Sequence, residues 1–333
     1  MRSWGMLAMT MALALALPAG AAAQRAEPII DMHLHAYPAD AQGPPPVVVC
    51  APYDTMPGRD PRMSDRDYAA ATFKVARCRH PIWSAKSDEA LRAASLAMLR
   101  RYDITAVTGG PLLDAWRKAG GERIIPSLEF GLADAPPPER IRALAKSGAI
   151  RMLGEITTQY EGVGPDDPRL EPYWALAEEL DLPVGIHMGP GPPGAAYLGA
   201  PKFRMSLGDP LLLEPVLLRH PRLRVYVMHA GWPMVDRMIA LMYAFPQVHV
   251  DTAVIDFTQP RAEFWAYLKR LVDAGYGRRI LFGSDQMVWP DAIPVAIDAI
   301  RSAPFLTAQQ KRDILHDNAA RFLHLTPQDT PTR

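Results

Sequence analysis

The chain has 333 residues, with 36 Lys and Arg balanced by 36 Asp and Glu. With no basic block and no interleaving of aromatic and basic residues, this balance argues against nucleic acid as a partner. The length suits one large core, and no repeat of 20–50 residues suggests a solenoid or propeller.

Arg2 precedes an apolar run, Met6 to Leu17, broken by Pro18-Ala19-Gly20 and followed by Ala21-Ala22-Ala23. This pattern predicts a secretory signal peptide over residues 1–23, cut after Ala23. The run is shorter than the about 20 residues of a membrane span, and no later stretch is long and apolar enough to be one. Residues 24–333 are therefore expected as a single exported, soluble domain, periplasmic in a Gram-negative source, with no membrane attachment after cleavage.

The first predicted strand is Ile29-Ile30-Asp31-Met32-His33-Leu34-His35, an apolar run ending in His-x-His. Period-2 alternation turns His33 and His35 to one face, about 6–7 Å apart along the strand. Residues 36–87 follow as a long insertion, opened by loop chemistry at Pro38 to Pro46 and carrying one short helix near Arg66 to Val75. Cys50 and Cys78 both fall within it. An oxidising compartment permits a disulfide that staples the insertion to itself; the alternative is two separate thiols.

Ser87-Asp88-Glu89 opens a helix to about Tyr102. A strand–helix rhythm then sets in. Strands are expected at Ile104–Val107, Ile124–Leu128, Ile150–Ile156, Pro183–His187, Leu223–His229, Val248–Thr252 and Ile280–Asp285. Helices are expected at 112–118, 138–147, 168–180, 210–219, 233–243, 261–274 and 290–302, with a final helix over Thr307–Leu323. Eight strands, each leading to a helix, predict an α/β fold, a (β/α)8 TIM barrel with an extra C-terminal helix. An open doubly wound sheet would want a G-x-G-x-x-G turn after an early strand, and none is present.

The polar residues fall where such a barrel builds active sites. His33 and His35 end strand one, Glu155 lies near the end of strand four, and His187 ends strand five. His229 ends strand six and Asp285 ends strand eight. Singly, a histidine here reads as a core residue, Glu155 as a salt-bridge partner and Asp285 as a helix cap. Together they predict a metal site at the C-terminal face. Imidazole and carboxylate without thiolate suit zinc first, and also Mn, Fe or Ni. Such an ion lowers the pKa of a bound water from about 15.7 to near 7, and a nearby carboxylate can move its proton.

Asp31-x-His33-x-His35, Gly154-Glu155-Ile156, Ile186-His187, Val227-Met228-His229-Ala230-Gly231 and Phe282-Gly283-Ser284-Asp285 together resemble the amidohydrolase superfamily. The closing Ile314 to Leu323 is similar to the C-terminal helix of its amidohydrolase-related branch, which includes aromatic-acid decarboxylases and lactone hydrolases. The resemblance runs from Ile30 to Leu325. It implies that His33, His35 and Asp285 bind a first metal. In binuclear members Glu155 bridges to a second, held by His187 and His229. In mononuclear members His187 joins the first set and His229 polarises the substrate. The resemblance also makes Asp285 the proton shuttle of hydrolytic members.

For the substrate, Lys202 and Arg204 lie in the loop after strand five, beside Tyr197 and Phe203, where they could hold a carboxylate or phosphate or merely face solvent. Trp232 and Trp289 could wall an apolar pocket or pack between barrel and helix. Arg151 is expected in a buried pair. The leading expectation is a metal-dependent hydrolase of an ester, lactone, amide or phosphoester with an Asp proton shuttle. The alternatives are a non-oxidative metal-dependent decarboxylase of an aromatic or unsaturated acid, and a non-catalytic periplasmic metal- or solute-binding protein. The partner is a small molecule, and barrels of this kind often pair as homodimers.

Overall fold

The computed structural model describes Met1 and residues 27–325, so the leader expected over 1–23 lies, Met1 apart, outside the described residues. β1 (Ile29–His35) leads into the insertion, where β2 (Val48–Cys50) and β3 (Pro81–Trp83) pair antiparallel across α1 (Asp65–Phe73). The helix α2 (Asp88–Arg101) brings the chain back. Strand and helix then alternate through β4 (Ile104–Gly109), α3 (Leu113–Gly120), β5 (Ile124–Phe130), α4 (Pro138–Lys146), β6 (Met152–Ile156) and α5 (Glu171–Leu180). They continue through β7 (Val184–His187), α6 (Glu214–Arg219), β8 (Val225–Met228), α7 (Val235–Ala244) and β9 (His249–Asp251). The last are α8 (Ile255–Thr258), α9 (Arg261–Asp273), β10 (Ile280–Leu281), α10 (Ala292–Arg301), α11 (Ala308–Arg312) and α12 (Asn318–Phe322).

β1 and β4 to β10 form one parallel eight-stranded sheet in chain order. It closes where β10 meets β1. The Met32 N–H donates to Phe282 O (2.8 Å), the His35 N–H to Gln286 O (3.1 Å), and the Asp285 N–H to His33 O (2.7 Å). The predicted (β/α)8 barrel is thus the observed fold. Local chemistry agrees with it at α2: the Ser87 side chain accepts from the Ala90 N–H, Asp88 and Glu89 fill the first turn, and Arg100 and Arg101 the last. Those charges complement the helix dipole, while Leu91, Leu96 and Leu99 are buried towards the sheet.

Two apolar layers position the site. Ile30, Met32, Val107, Ile125, Met152, Tyr226 and Met228 pack together with Phe322 of α12, so the barrel interior is filled and its lower end plugged. A larger layer between strands and helices holds Ile29, Leu34, Val184, Val227 and the buried faces of the helices. Within β1 the alternation is broken once. Met32 packs in the inner layer, Leu34 in the outer, and the ladder with β4 shifts register between Asp31 and Leu34. The Asp31 carboxylate accepts the His33 N–H (3.0 Å) and the Ser284 N–H (2.9 Å), taking His33 out of the ladder. This bulge re-aims His33 and His35 inward above Met32.

Four expectations need correction. The eighth strand stops at Leu281 rather than Asp285, because the chain turns there to close on β1. The last helix is not continuous: Asp313–Asp317 is a π turn, and the Ile314 carbonyl accepts the Phe282 N–H (3.0 Å) from outside the helix. The insertion holds a hairpin, β2–β3, besides its expected helix. Arg151 is exposed rather than buried in a pair.

Cys50 and Cys78 are joined as a disulfide across a separation of 28 residues. Closing a loop of that size is worth about 3–4 kcal/mol in the chain-entropy account. Cys78→Ser should therefore loosen the insertion more than the barrel. Limited proteolysis is expected to cut within 51–77 while the barrel survives, and uncut insertion in the variant would count against the staple.

Candidate metal centre

The strand ends bring six side chains to one point. His35 Nε2 lies 2.9 Å from Asp285 Oδ1 and 3.1 Å from His33 Nε2. Glu155 Oε2 is 3.6 Å from both of those imidazole nitrogens. Its other oxygen, Oε1, is 3.5 Å from His229 Nε2 and 4.0 Å from His187 Nε2. Glu155 thus stands between two imidazole pairs, one oxygen towards each. All six residues are buried.

Each imidazole is oriented through its other nitrogen. His33 Nδ1 meets Asp251 Oδ2 (3.1 Å), and His35 Nδ1 meets Glu129 Oε2 (3.1 Å). His187 Nδ1 meets Gln159 Oε1 (2.9 Å), and His229 Nδ1 meets the Ala253 carbonyl (3.0 Å). All four partners are acceptors, so all four Nδ1 atoms carry the proton and all four Nε2 lone pairs point to the centre. The His33 and His35 Nε2 atoms, 3.1 Å apart, would repel as two bare lone pairs, so a cation, either a proton or a metal ion, must lie between them. The donor set therefore fits a divalent ion, and His33, His35 and Asp285, like Glu155, His187 and His229, cluster closely enough to hold one.

Backbone strain places two of these groups. His229 and Ala230 have φ of 60° and 51°, and Asp285 has φ of 47°. Left-handed backbone costs a non-glycine residue about 1–3 kcal/mol. Here hydrogen bonds hold it: the His229 N–H donates to Asp251 Oδ1 (2.7 Å) and the Asp285 N–H to His33 O. Gly283 lets β10 approach, since a Cβ there would sit 2.9 Å from that of His33.

The charges are mutually stabilised. Burial pulls the His35 imidazole down, but Glu129 and Asp285 outweigh it and push its pKa up to about 10. Burial likewise opposes ionisation of Asp285 and Glu155, yet the imidazoles hold both below the ordinary carboxylate range. His187, among imidazoles, is depressed by burial and by His229 to about 3.

A proton therefore occupies His35 at neutral pH until an ion displaces it. Ion binding should release protons and strengthen as pH rises. Calorimetry in buffers of different ionisation enthalpy is expected to show that release. Glu129→Gln should weaken ion affinity about 10–100-fold, and an unchanged affinity would leave Glu129 without this role.

A cavity of about 1410 Å³ opens above the centre, lined by His35, Glu155, His187, His229 and Asp285. Lys202, Arg204, Trp232 and Trp289 also line it. Lys202 forms no hydrogen bond or ion pair among the described residues, whereas the Arg204 guanidinium donates to the Pro201 and Phe203 carbonyls (both 2.8 Å). Trp289 Nε1 donates to Val47 O (3.0 Å), tying α10's approach to the insertion. Tyr197 does not line the cavity; it lies half-exposed under the Arg59 guanidinium, 4.1 Å from its ring centre.

Sequence reasoning missed Glu129, Tyr37, Gln159, Tyr160 and Asp251. The Tyr37 hydroxyl donates to Glu129 Oε1, and its ring stacks on His35 at 4.3 Å. Tyr160 packs against His187 and Phe203 and lines the cavity. No helix among the described residues is long and apolar enough to cross a membrane.

Barrel and site together define a metal-ligating (β/α)8 enzyme that acts on a small molecule. The amidohydrolase family profile matches residues 30–325, and the chain belongs to that family. No curated protein matches it in sequence. Among solved structures it is similar to the 5-carboxyvanillate decarboxylase of Sphingomonas paucimobilis (15% identity, 90% of this chain and 99% of that one, TM-score 0.57). It is also similar to the 2,6-dihydroxybenzoate decarboxylase of Rhizobium (14%, 90% and 99%, 0.56). A third is a probable 2-pyrone-4,6-dicarboxylic acid hydrolase of Acinetobacter baumannii with citric acid bound (14%, 90% and 100%, 0.56). At these identities the likeness is one of fold.

Proposed function

We propose that the protein catalyses metal-dependent, non-oxidative decarboxylation of an aromatic or unsaturated carboxylic acid. The observation that carries this reading is the cavity floor: five of the six central metal-capable side chains beneath walls that include the rings of Tyr160, Phe203, Trp232 and Trp289. A slot of this kind suits a planar acid with its carboxylate end down. The solved neighbours lend support, since most are named as decarboxylases of hydroxylated aromatic acids. This reverses the order expected from the sequence, where hydrolysis leads.

His33, His35 and Asp285 would hold an ion, with Glu155, His187 and His229 completing its surroundings. Zinc and manganese are the first ions to try, with Fe and Ni behind them. The ion supplies positive charge that polarises the oxygens of the acid. Each turnover breaks the carbon–carboxylate bond, releases CO2 and takes up one proton on the carbon left behind. Asp285, facing the cavity, is the carboxyl group placed to pass that proton, and a second proton on His229, at the Nε2 beside Glu155, would let it polarise the substrate.

Hydrolysis of a lactone or ester remains the second reading, favoured by Glu155, whose two oxygens face separate imidazole pairs as a bridging ligand would. The test is a panel of hydroxybenzoates and lactones on the zinc- and manganese-loaded protein. CO2 released in proportion to acid consumed is expected. Acid produced from a lactone, with no CO2 from any aromatic acid, would overturn the proposal in favour of the second reading. We also propose export through the leader expected over 1–23, and an N-terminus at Gln24 in the secreted fraction is its check.

A further inference from the structure

The cavity is far larger than a one-ring acid needs. Benzene fills a cavity of about 150 Å³, and small-molecule sites commonly measure about 300–1,000 Å³. Here the volume is about 1410 Å³. The polar groups are not spread evenly through it. Glu129, Glu155, Asp285 and the imidazoles gather at the floor, and Glu161, Arg169, Lys202 and Arg204 line the side formed by the loops after β6 and β7, whereas the insertion, Gln42 apart, lines it with Val49, Tyr53, Met56 and Phe73, and Ala195 and Leu198 face it from the loop after β7.

That apolar part is built. The insertion is cross-linked at Cys50–Cys78. Its α1 reaches the opposite loop through the Tyr68 hydroxyl, which donates to Pro193 O (2.8 Å), and Arg59 lies over the Tyr197 ring. Two segments far apart in sequence thus clasp one another over the metal centre. A one-ring acid at the floor would leave these apolar walls facing water, which is unfavourable in proportion to their area.

We propose that the substrate is a carboxylic acid carrying a large apolar body, at least a second ring or an alkyl chain of similar size, housed between the insertion and the loop after β7. This rests on the decarboxylase reading for the reacting end alone. Lys202 at the cavity wall, without a hydrogen-bond or ion-pair partner among the described residues, leaves room for an anionic or polar substituent on that body.

The experiment compares salicylate with 4-phenylsalicylate on the metal-loaded protein, by calorimetry for binding and by CO2 release for turnover. The phenyl compound is expected to bind more tightly by on the order of 10–100-fold. Val49→Trp, which fills the apolar chamber, should bring the ratio of the two dissociation constants back to about one. Phe73→Ala, which removes wall contact without crowding, should also lower the ratio, so a misfolded Val49→Trp does not stall the test. Equal affinities in the wild type, or a ratio untouched by both variants, would overturn the proposal. A preference for the phenyl compound without CO2 release from either acid upholds the chamber and overturns only the decarboxylase reading. CO2 from both acids without any preference does the reverse.

Discussion

Asp285→Asn is expected to lower turnover about 10³–10⁴-fold, the range for loss of a positioned proton-transfer group. The substitution is nearly isosteric and keeps an oxygen that can face His35. The left-handed turn that aims the side chain depends on a main-chain bond to His33, which asparagine retains. What disappears is the negative charge and the ability to carry a proton. Imidazoles on two sides hold the wild-type carboxyl ionised despite its burial, so the neutral amide also leaves His33 and His35 with one counter-charge fewer. Ion content by elemental analysis, measured beside kcat, separates the two losses. An ion-loaded variant that turns over at near wild-type rate would remove Asp285 from the mechanism.

Glu155→Ala separates the two readings through the metal stoichiometry. His33 and His35 have a carboxylate of their own in Asp285, whereas Glu155 supplies the carboxylate of the cluster containing His187 and His229. On the decarboxylase reading wild-type protein and variant are each expected to hold one ion per chain, whereas two ions in the wild type falling to one in the variant would favour the hydrolytic second reading. One ion in both proteins would place Glu155 outside the ligand set and describe a mononuclear centre. The ligands at His33 and His35 also differ in kind from the others. Their Nδ1 atoms face carboxylates, those of His187 and His229 face neutral oxygens, and a carboxylate partner makes the imidazole the stronger donor.

The barrel was legible because each strand is a short apolar run and most helices start at or just after a capping side chain or a proline. The six central side chains were legible for a related reason: a charged or imidazole group at the end of an apolar strand is conspicuous. Glu129 obeys the same rule and escaped it by one residue, since the apolar run of that strand ends at Leu128 while the strand continues to Phe130. Asp251 sat in plain view on an expected strand, an acidic residue in an apolar run, and its burial was the missing part. Gln159 and Tyr160 lie in a short 3-10 turn after β6, where no periodicity points a side chain anywhere. The inward turn of His33 and His35 was anticipated by alternation. The reason it works is the Asp31 bulge, which alternation alone does not contain. Tyr197 looked like a pocket residue from its neighbours in sequence, but the clasp with Arg59 turns it outward.

The staple between Cys50 and Cys78 ties activity to the history of the chain. None of the six central side chains lies within the loop it closes, so a chain kept in a reducing environment can complete its barrel and its metal-ligand set. It would lack only the fixed roof. On the proposed export and the proposed chamber, such a chain would have the reactive floor before its roof is fixed, and would gain its selectivity on oxidation of the two thiols. Oxidation would then be a maturation step that separates the place where the protein is made from the place where it discriminates among acids.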